Sequence, residues 1–276
     1  MKRTFVSAAI FVSLLMASTV ITRAQALSLY AATGSGNFGT LNPLTGQFTQ
    51  IGASGVFGSD HIGGLAFGTG GKLYGLGYNG AGNSELFQIS LTTGNATLIG
   101  TGGAIGAGYG LTSTPNGTLY AFLDPNNITT LYTVNPTNGA DTQIGVSGTE
   151  LLYGNIAASQ SGLLYINPGY GTEQLYNLNA STGQGTLIGN TGTANSYAIA
   201  YDNSNLYLVG LNGVISSLNT STGAGTAVST YNNAEGQIYA LASANAFASP
   251  SPTPEPTSLA LAALGMAALV LRQRRG

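Results

Sequence analysis

The residues best suited to chemistry in this sequence are a few acidic side chains and one histidine. His61 is the only histidine, and Asp60 precedes it directly. Glu150 and Glu235 lie in other Gly-containing stretches of the chain. Two carboxyl groups about 5–9 Å apart can serve as acid and as nucleophile or base in glycoside hydrolysis. Neighbouring carboxylates can instead hold Ca²⁺, which takes about six to eight oxygen ligands.

Neither chemistry is carried by a complete sequence motif. The calcium-loop pattern D-x-[DN]-x-[DN]-G is absent, and residues 202–205 match only a fragment of it. We therefore predict no cofactor, assign no metal ligands, and keep Ca²⁺ as an alternative. Asp60 and His61 are adjacent, whereas the residues of a catalytic triad converge from separate segments. The sequence thus favours a protein without catalytic activity, and a carbohydrate-active hydrolase is the alternative.

Composition excludes several other classes of protein. The chain of 276 residues has no Cys, which excludes disulfides, thiolate metal sites and a cysteine nucleophile. It has only 7 Lys+Arg, too few for a surface that follows nucleic-acid phosphates, so we predict no nucleic-acid partner. Between residues 27 and 249, Lys72 is the single base against eight acidic residues, a net charge of −7. This charge favours cationic or neutral partners over anionic polymers.

A repeat of about 45 residues fills the middle of the chain. Its first mark is an apolar residue followed by Tyr, and successive tyrosines are separated by 44, 46, 45 and 42 positions. Its second mark is a turn glycine, and its third is a Thr-x-Ile-Gly stretch that is altered only in the fifth copy. These marks are Leu29-Tyr30, Leu73-Tyr74, Leu119-Tyr120, Leu164-Tyr165 and Leu206-Tyr207; Gly46, Gly94, Gly139, Gly183 and Gly223; and residues 49–52, 97–100, 142–145, 186–189 and 226–229.

Each copy contains four short segments with strand character. In the second copy they are residues 62–67, 72–77, 85–90 and 95–99, separated by Gly- and Asn-rich clusters typical of hairpin turns. The first copy lacks its first strand, and residues 236–242 form an unpartnered strand after the fifth copy. We therefore predict an all-β fold over residues 27–245: a five-bladed β-propeller of four-stranded blades, closed by a last strand that completes the first blade. A stacked solenoid would instead need capping repeats.

The connections between propeller strands alternate between two faces. The loop face is the face that carries the connections between successive blades and the connections between the second and third strands of each blade. The turn face carries the remaining connections. Six of the eight acidic residues between 27 and 249 fall in or beside loop-face connections. We predict a candidate ligand or cation face there, formed by Asp60, His61, Glu150 and Glu235, and we assign no catalytic residue.

The start of the chain has the features of a signal peptide. Residues 1–26 begin with Lys2 and Arg3, continue with an apolar run, and end in the small-x-small pattern Ala24-x-Ala26 that signal peptidase cleaves. We therefore predict that signal peptidase removes this segment and that the chain is exported.

The end of the chain has the layout of a second sorting signal. Residues 246–258 form a Pro/Ser-rich linker with Pro254-Glu255-Pro256, and residues 259–276 hold an apolar stretch followed by Arg272, Arg274 and Arg275. As a helix, an apolar stretch of about 13 residues spans ~20 Å, less than the ~30 Å of a bilayer core. This order of features closely resembles the PEP-CTERM sorting signal of exported bacterial proteins, and similar tails occur on ice-binding proteins.

The resemblance implies an address and a processing partner. The partner is an exosortase-type membrane protease, and the C-terminal helix contacts the inner membrane transiently, before processing. Delivery would be to the cell surface, outer membrane or extracellular matrix of a Gram-negative-type bacterium. The repeats also resemble propeller repeats of other exported bacterial proteins. We thus predict an exported, non-catalytic propeller that acts as a binding or structural module, with exopolysaccharide or envelope components as candidate partners.

Overall fold

The computed structural model describes residues 28–56, 62–105, 108–125, 128–148, 155–159, 162–167, 174–193, 195–202 and 205–244. The predicted signal peptide, linker and C-terminal helix lie outside these ranges. Within them are twenty β-strands and a short 3-10 turn at Thr69–Gly71. No helix in these ranges is long and apolar enough to cross a membrane.

The strands follow one another in short antiparallel runs. They are β1 (Leu29–Thr33), β2 (Asn37–Leu41), β3 (Phe48–Ala53), β4 (Gly64–Phe67), β5 (Leu73–Tyr78), β6 (Asn83–Ile89), β7 (Ala96–Ile105), β8 (Gly108–Ser113), β9 (Leu119–Leu123), β10 (Thr130–Val134), β11 (Asp141–Val146), β12 (Asn155–Ala158), β13 (Leu163–Asn167), β14 (Gln174–Leu178), β15 (Gly185–Asn190), β16 (Ser196–Asp202), β17 (Asn205–Gly210), β18 (Val214–Leu218), β19 (Gly225–Thr230) and β20 (Ile238–Ala242).

The strands form five antiparallel sheets of four strands each. Sheet 1 has the order β20-β1-β2-β3, and sheets 2 to 5 are β4–β7, β8–β11, β12–β15 and β16–β19. The first strands of the sheets, which we call the inner strands, contact one another in the order β20, β4, β8, β12 and β16, and β16 contacts β20 again. The prediction of an all-β, propeller-like arrangement is confirmed. Ring closure leaves no inner sheet edge exposed.

Predicted strand ends agree with the structure except at one place in sheet 2. Strands β4, β5 and β6 begin and end within two residues of the predicted segments, whereas β7 continues to Ile105, six residues beyond its predicted end. The predicted end of this strand is wrong because its extension is held by a neighbouring sheet. The Asp141 carboxylate of β11 accepts hydrogen bonds from the N–H groups of Gly103 at 3.0 Å and Ala104 at 3.1 Å.

The hydrophobic core consists of five layers, one between each pair of adjacent sheets. In the layer between sheets 1 and 5, Leu29 and Ile238 of sheet 1 pack with Val209 of sheet 5, and all three are 0% exposed. Tyr231, which follows β19, is 2% exposed in the same layer, with its ring centroid 5.8 Å from that of Phe48. Because neighbouring sheets cover both faces of each sheet, the inner strands are apolar on both sides.

The repeated Thr-x-Ile-Gly stretch builds a β-bulge in the outer strand of sheets 1 to 4, and its altered copy at residues 226–229 does so in sheet 5. In sheet 3, Leu131 is opposite Gly145 and Tyr132 is opposite Gln143, so that Ile144 is the extra residue. The register shifts at the equivalent point in the other four sheets. Ile144 packs against the apolar layer between sheets 3 and 4. The bulge therefore bends the outer strand and turns its isoleucine toward the next sheet.

The two repeated glycines meet where adjacent sheets touch. A Cβ added to Gly145 of β11 would overlap the carbonyl oxygen of Thr182, in the turn before β15. A Cβ on the turn residue Gly183 would in turn lie 2.7 Å from the carbonyl carbon of Gly145, and Gly183 has a φ of +79°. Glycine is the residue that permits both this backbone approach and this φ. The same contact recurs at Gly52, Gly100 and Gly189.

Candidate functional site

The predicted ligand face is represented in the structure by one of its four residues. Asp60, His61 and Glu150 lie outside the described residues, so their proximity stays a prediction. Glu235 lies between β19 and β20, where its backbone oxygen and its carboxylate Oε2 accept hydrogen bonds from Asn37 Nδ2 at 3.0 Å and 3.4 Å. Glu235 therefore ties the last loop to the first sheet at the closure of the ring.

Tyr231 anchors the same loop from the core. Its hydroxyl donates to the Gly236 carbonyl at 3.0 Å and accepts from the Glu235 N–H at 3.0 Å. Burial raises the pKa of Tyr231; the Glu235 N–H bond lowers it in part, and the nearby Glu235 carboxylate raises it further. Glu235 thus helps to hold the loop over the apolar layer between sheets 1 and 5, and its place in a ligand face stays a prediction.

Two other acidic residues are also held by neighbouring groups. Asp141 bonds to β7 as described above, and its Oδ2 accepts a further hydrogen bond from Ser84 Oγ at 2.8 Å. Glu85 Oε1 accepts from Asn79 Nδ2 at 3.2 Å. Across the ranges that the structure describes, no three His, Cys, Asp or Glu residues are grouped as metal ligands.

Asn155 closes the loop-face end of the channel between the inner strands. It is the first residue of β12 and is 3% exposed. Its Nδ2 donates to backbone carbonyls from three other sheets: Gly63 at 3.4 Å, Tyr239 at 3.3 Å, and Tyr197. One amide thus satisfies carbonyls that would otherwise face each other across the axis.

The repeats carried a signal for Asn155 that sequence analysis missed. The residue that precedes the aligned Leu or Ile of each inner strand is small in the other four copies: Gly64, Gly110, Ala198 and Ala240. A single amide at a position otherwise occupied by small residues marks a place where the chain departs from its own repeat. The structure shows that this amide fills the axis.

We predict that Asn155→Ala lowers the free energy of unfolding by about 2 kcal/mol, because it leaves buried carbonyls without a donor. Asn155→Asp is expected to cost more at neutral pH, since a carboxylate would face the three carbonyls. Its folded-state pKa would then lie above the unfolded value of about 3.9, so the loss is smallest in acid and grows as pH rises through that value. Thermal melts at several pH values measure both effects.

The matched control is Asn95→Ala, at an exposed turn position before β7. It is expected to change stability by no more than about 0.5 kcal/mol. Equal melting temperatures for Asn155→Ala and Asn95→Ala would contradict the role of Asn155 as the residue that closes the axis.

A small cavity occupies the turn-face end of the same channel. Its volume is about 30 Å³, room for about two water molecules. The ends of the inner strands form its rim: Phe67, Ser113, Ala158, Tyr201 and Ser243. This volume is too small for a sugar ring, so the axis itself is filled by the protein.

Side chains link the inner strands around this cavity. Ser113 Oγ donates to the Phe67 carbonyl, and the Ala158 N–H donates to Thr112 Oγ1 at 2.9 Å. Ser243 Oγ donates to Asp202 Oδ1. Asp202, which sequence analysis placed only in a fragment of a calcium loop, is 1% exposed. It is the second residue near the axis whose role the repeat pattern did not reveal.

Comparison with known protein families supports the resemblance of the C-terminal segment to a sorting signal. A family profile described as "PEP-CTERM protein-sorting motif" matches residues 252–275. The protein is therefore a propeller-like β-protein that carries a PEP-CTERM sorting motif, and this motif implies export and sorting to the cell envelope by an exosortase. A search among curated proteins finds no match for the chain.

The similarity to solved structures supports the fold. One similar chain comes from "Crystal structure of Nidogen/Laminin Complex": it has a TM-score of 0.52 and 15% sequence identity, over 78% of this chain and 97% of that chain. In all, 862 chains match, and a fold shared so widely does not identify a function.

Proposed function

We propose that the protein is an exported, surface- or matrix-associated five-bladed propeller that acts as a non-catalytic binding or structural module after sorting by an exosortase-type protease. The sorting motif at residues 252–275 carries the proposal. The closed ring supports a structural or binding role, because its core layers are continuous and its axis is filled by Asn155. The net charge of −7 between residues 27 and 249 favours neutral polysaccharide or cationic envelope components as partners.

The sorting step is tested by replacing Pro254, Glu255 and Pro256 with alanine in an exosortase-containing bacterium. We expect the wild-type protein to reach the outer envelope or medium with an intact mass that lacks both ends. The alanine variant should accumulate in the inner-membrane fraction with its tail retained, because the protease no longer recognises it. Glu235→Gln is the control, since its change lies in the propeller, and it should be sorted like wild type. A wild-type chain that keeps its tail in the inner membrane would overturn the sorting proposal.

The binding role is tested by co-sedimentation of the processed protein with isolated exopolysaccharide and with envelope fragments. Binding that is lost when the protein is heat-unfolded would support a module that uses its folded surface. Cleavage of a polysaccharide by the wild type, together with loss of cleavage in Glu150→Gln, would instead assign the protein to the carbohydrate-active hydrolases.

A further inference from the structure

The sequence contains four Asn-Gly pairs, and the structure describes all of them: Asn79-Gly80, Asn116-Gly117, Asn138-Gly139 and Asn212-Gly213. Such a pair is chemically labile, because the backbone nitrogen of the second residue can attack the side-chain amide carbon of Asn. Glycine has no Cβ to obstruct this approach. The attack requires a backbone N–H that is not engaged in a hydrogen bond and a backbone with room to bend. The structure therefore determines which pair can react.

Three of the four glycines use their N–H groups inside a turn. The N–H groups of Gly117 and Gly213 each donate at 2.8 Å to the carbonyl three residues earlier in the chain. The N–H of Gly139 donates at 2.9 Å to the carbonyl of Asn135. In these three pairs the attacking nitrogen would first have to give up its hydrogen bond.

The same three glycines are also enclosed by neighbouring atoms. A Cβ added to any of them would collide with another part of the protein: Thr69, Gly100 and Tyr231, for Gly117, Gly139 and Gly213 in that order. The backbone at these positions therefore has little room for the rearrangement that ring formation requires.

Gly80 differs because it occupies another position in its turn. The Gly82 N–H donates to the Asn79 carbonyl at 2.8 Å, so Asn79 is the first residue of the turn between β5 and β6, and Gly80 is the second. The N–H of a second residue is not used by the turn hydrogen bond. Gly80 is exposed, and an added Cβ there would meet nothing within 4 Å. Among the four described pairs, this one meets both requirements.

The side-chain amide of Asn79 is polarised by the same turn. Its Oδ1 accepts hydrogen bonds from the backbone N–H groups of Ala81 at 3.0 Å and Asn83 at 3.1 Å. In each of the other three pairs, Asn Oδ1 accepts from one backbone N–H. Two donors aimed at Oδ1 stabilise the negative charge that develops on this oxygen when a nitrogen attacks the amide carbon.

We propose that Asn79 is a site of spontaneous deamidation in the folded protein, with water as the co-reactant. The Gly80 nitrogen forms a bond to Asn79 Cγ, the Cγ–Nδ2 bond breaks, and the amide nitrogen takes up the Gly80 proton and leaves as ammonia. Water then opens the resulting succinimide at one of its two carbonyl carbons, which gives aspartate or isoaspartate at position 79. The reaction needs only the chain and water, so it does not depend on the proposed function.

The modification changes the charge and the contacts of this turn. In the unmodified chain, Asn79 Nδ2 donates to Glu85 Oε1 at 3.2 Å. Deamidation replaces this donor with a second carboxylate, so that two negative charges face each other. Isoaspartate also lengthens the backbone by one carbon atom inside the turn. The connection between β5 and β6 is therefore expected to loosen as the protein ages.

Peptide mass mapping after prolonged incubation of the purified, folded protein in mildly alkaline buffer tests the proposal. Deamidation adds about 1 Da to the peptide that carries it. We expect position 79 to be converted at least about ten-fold faster than positions 116, 138 and 212, because only its attacking nitrogen has the required freedom. In a chain unfolded by denaturant the turns are lost, and the four pairs should react at similar rates.

Gly80→Ala separates the reacting pair from the rest of the turn. Its Cβ hinders the attacking nitrogen, so conversion of Asn79 should slow by about ten-fold, while the other three positions serve as internal controls. The variant should fold like the wild type, since the added Cβ meets nothing. Conversion of Asn79 no faster than that of the other three in the folded protein, the same preference in the unfolded chain, or undiminished conversion in Gly80→Ala would each overturn the proposal.

Discussion

A chain that stops after residue 237 is expected to lose its cooperative fold, whereas a chain that stops after residue 249 keeps it. The difference between them contains β20, which pairs with β1 and is the inner strand of sheet 1. Both chains lack the sorting tail, so the comparison isolates the strand that closes the ring.

The expected effect is large because β20 belongs to two core layers at once. Ile238 and Leu241 pack between sheets 1 and 5, and Ala240 and Ala242 pack between sheets 1 and 2. Burial of one large apolar side chain is worth about 1.5–3 kcal/mol, and the whole stability of a domain is only about 5–15 kcal/mol. Without β20 the chain also exposes the β1 edge and the apolar faces that β20 covers.

Circular dichroism and thermal melts of the two chains, each started at residue 27, provide the measurement. The longer chain should show one cooperative transition. The shorter chain should be insoluble or melt without a transition. A shorter chain that melts cooperatively within a few degrees of the longer one would show that the ring does not depend on its last strand.

The repeat predicted those parts of the fold that every copy shares. The strand missing from the first copy matched the extra strand at the end, and the pairing of Leu241 with Ala31 bears out this inference. The turn glycines and the Thr-x-Ile-Gly stretches each mark a contact that is made again at successive sheets. Because the same physical need recurs, the same residues recur.

Structural features that occur in only one sheet had no counterpart in the repeat pattern of the sequence. The extension of β7 depends on Asp141, which follows Ile105 by 36 positions and belongs to another sheet. Likewise, the carbonyls that accept from Asn155 Nδ2 and the hydroxyl that donates to Asp202 Oδ1 come from segments that are distant in sequence. Periodicity reports what copies share, whereas a single polar residue near the axis is defined by neighbours that only the folded ring brings together. The candidate site was therefore harder to predict than the architecture.

The glycine contacts between sheets give the second large prediction. Gly145→Ala should lower the free energy of unfolding by about 3 kcal/mol, at the upper end of the cost of overpacking, because the obstacle is backbone rather than a movable side chain. That loss corresponds to a Tm decrease of roughly 6–12 °C for a domain of this size. Gly80→Ala is the matched control, since an added Cβ there meets nothing within 4 Å, and its Tm should change by no more than about 2 °C.

The contact between sheets 5 and 1 shows how the protein accommodates a side chain in place of the repeated glycine. Ser229 stands where the other copies have glycine, and its hydroxyl donates to the Pro43 carbonyl of sheet 1 at 2.7 Å. The turn glycine of sheet 1, Gly46, approaches Thr230 instead. Ser229→Gly should therefore cost only about 1 kcal/mol, the net value of one hydrogen bond. If Gly145→Ala and Ser229→Gly shifted Tm equally, the repeated glycine would not be required by close backbone approach. A clear difference would show that the contact at Gly145 is limited by the space available for a single methyl group.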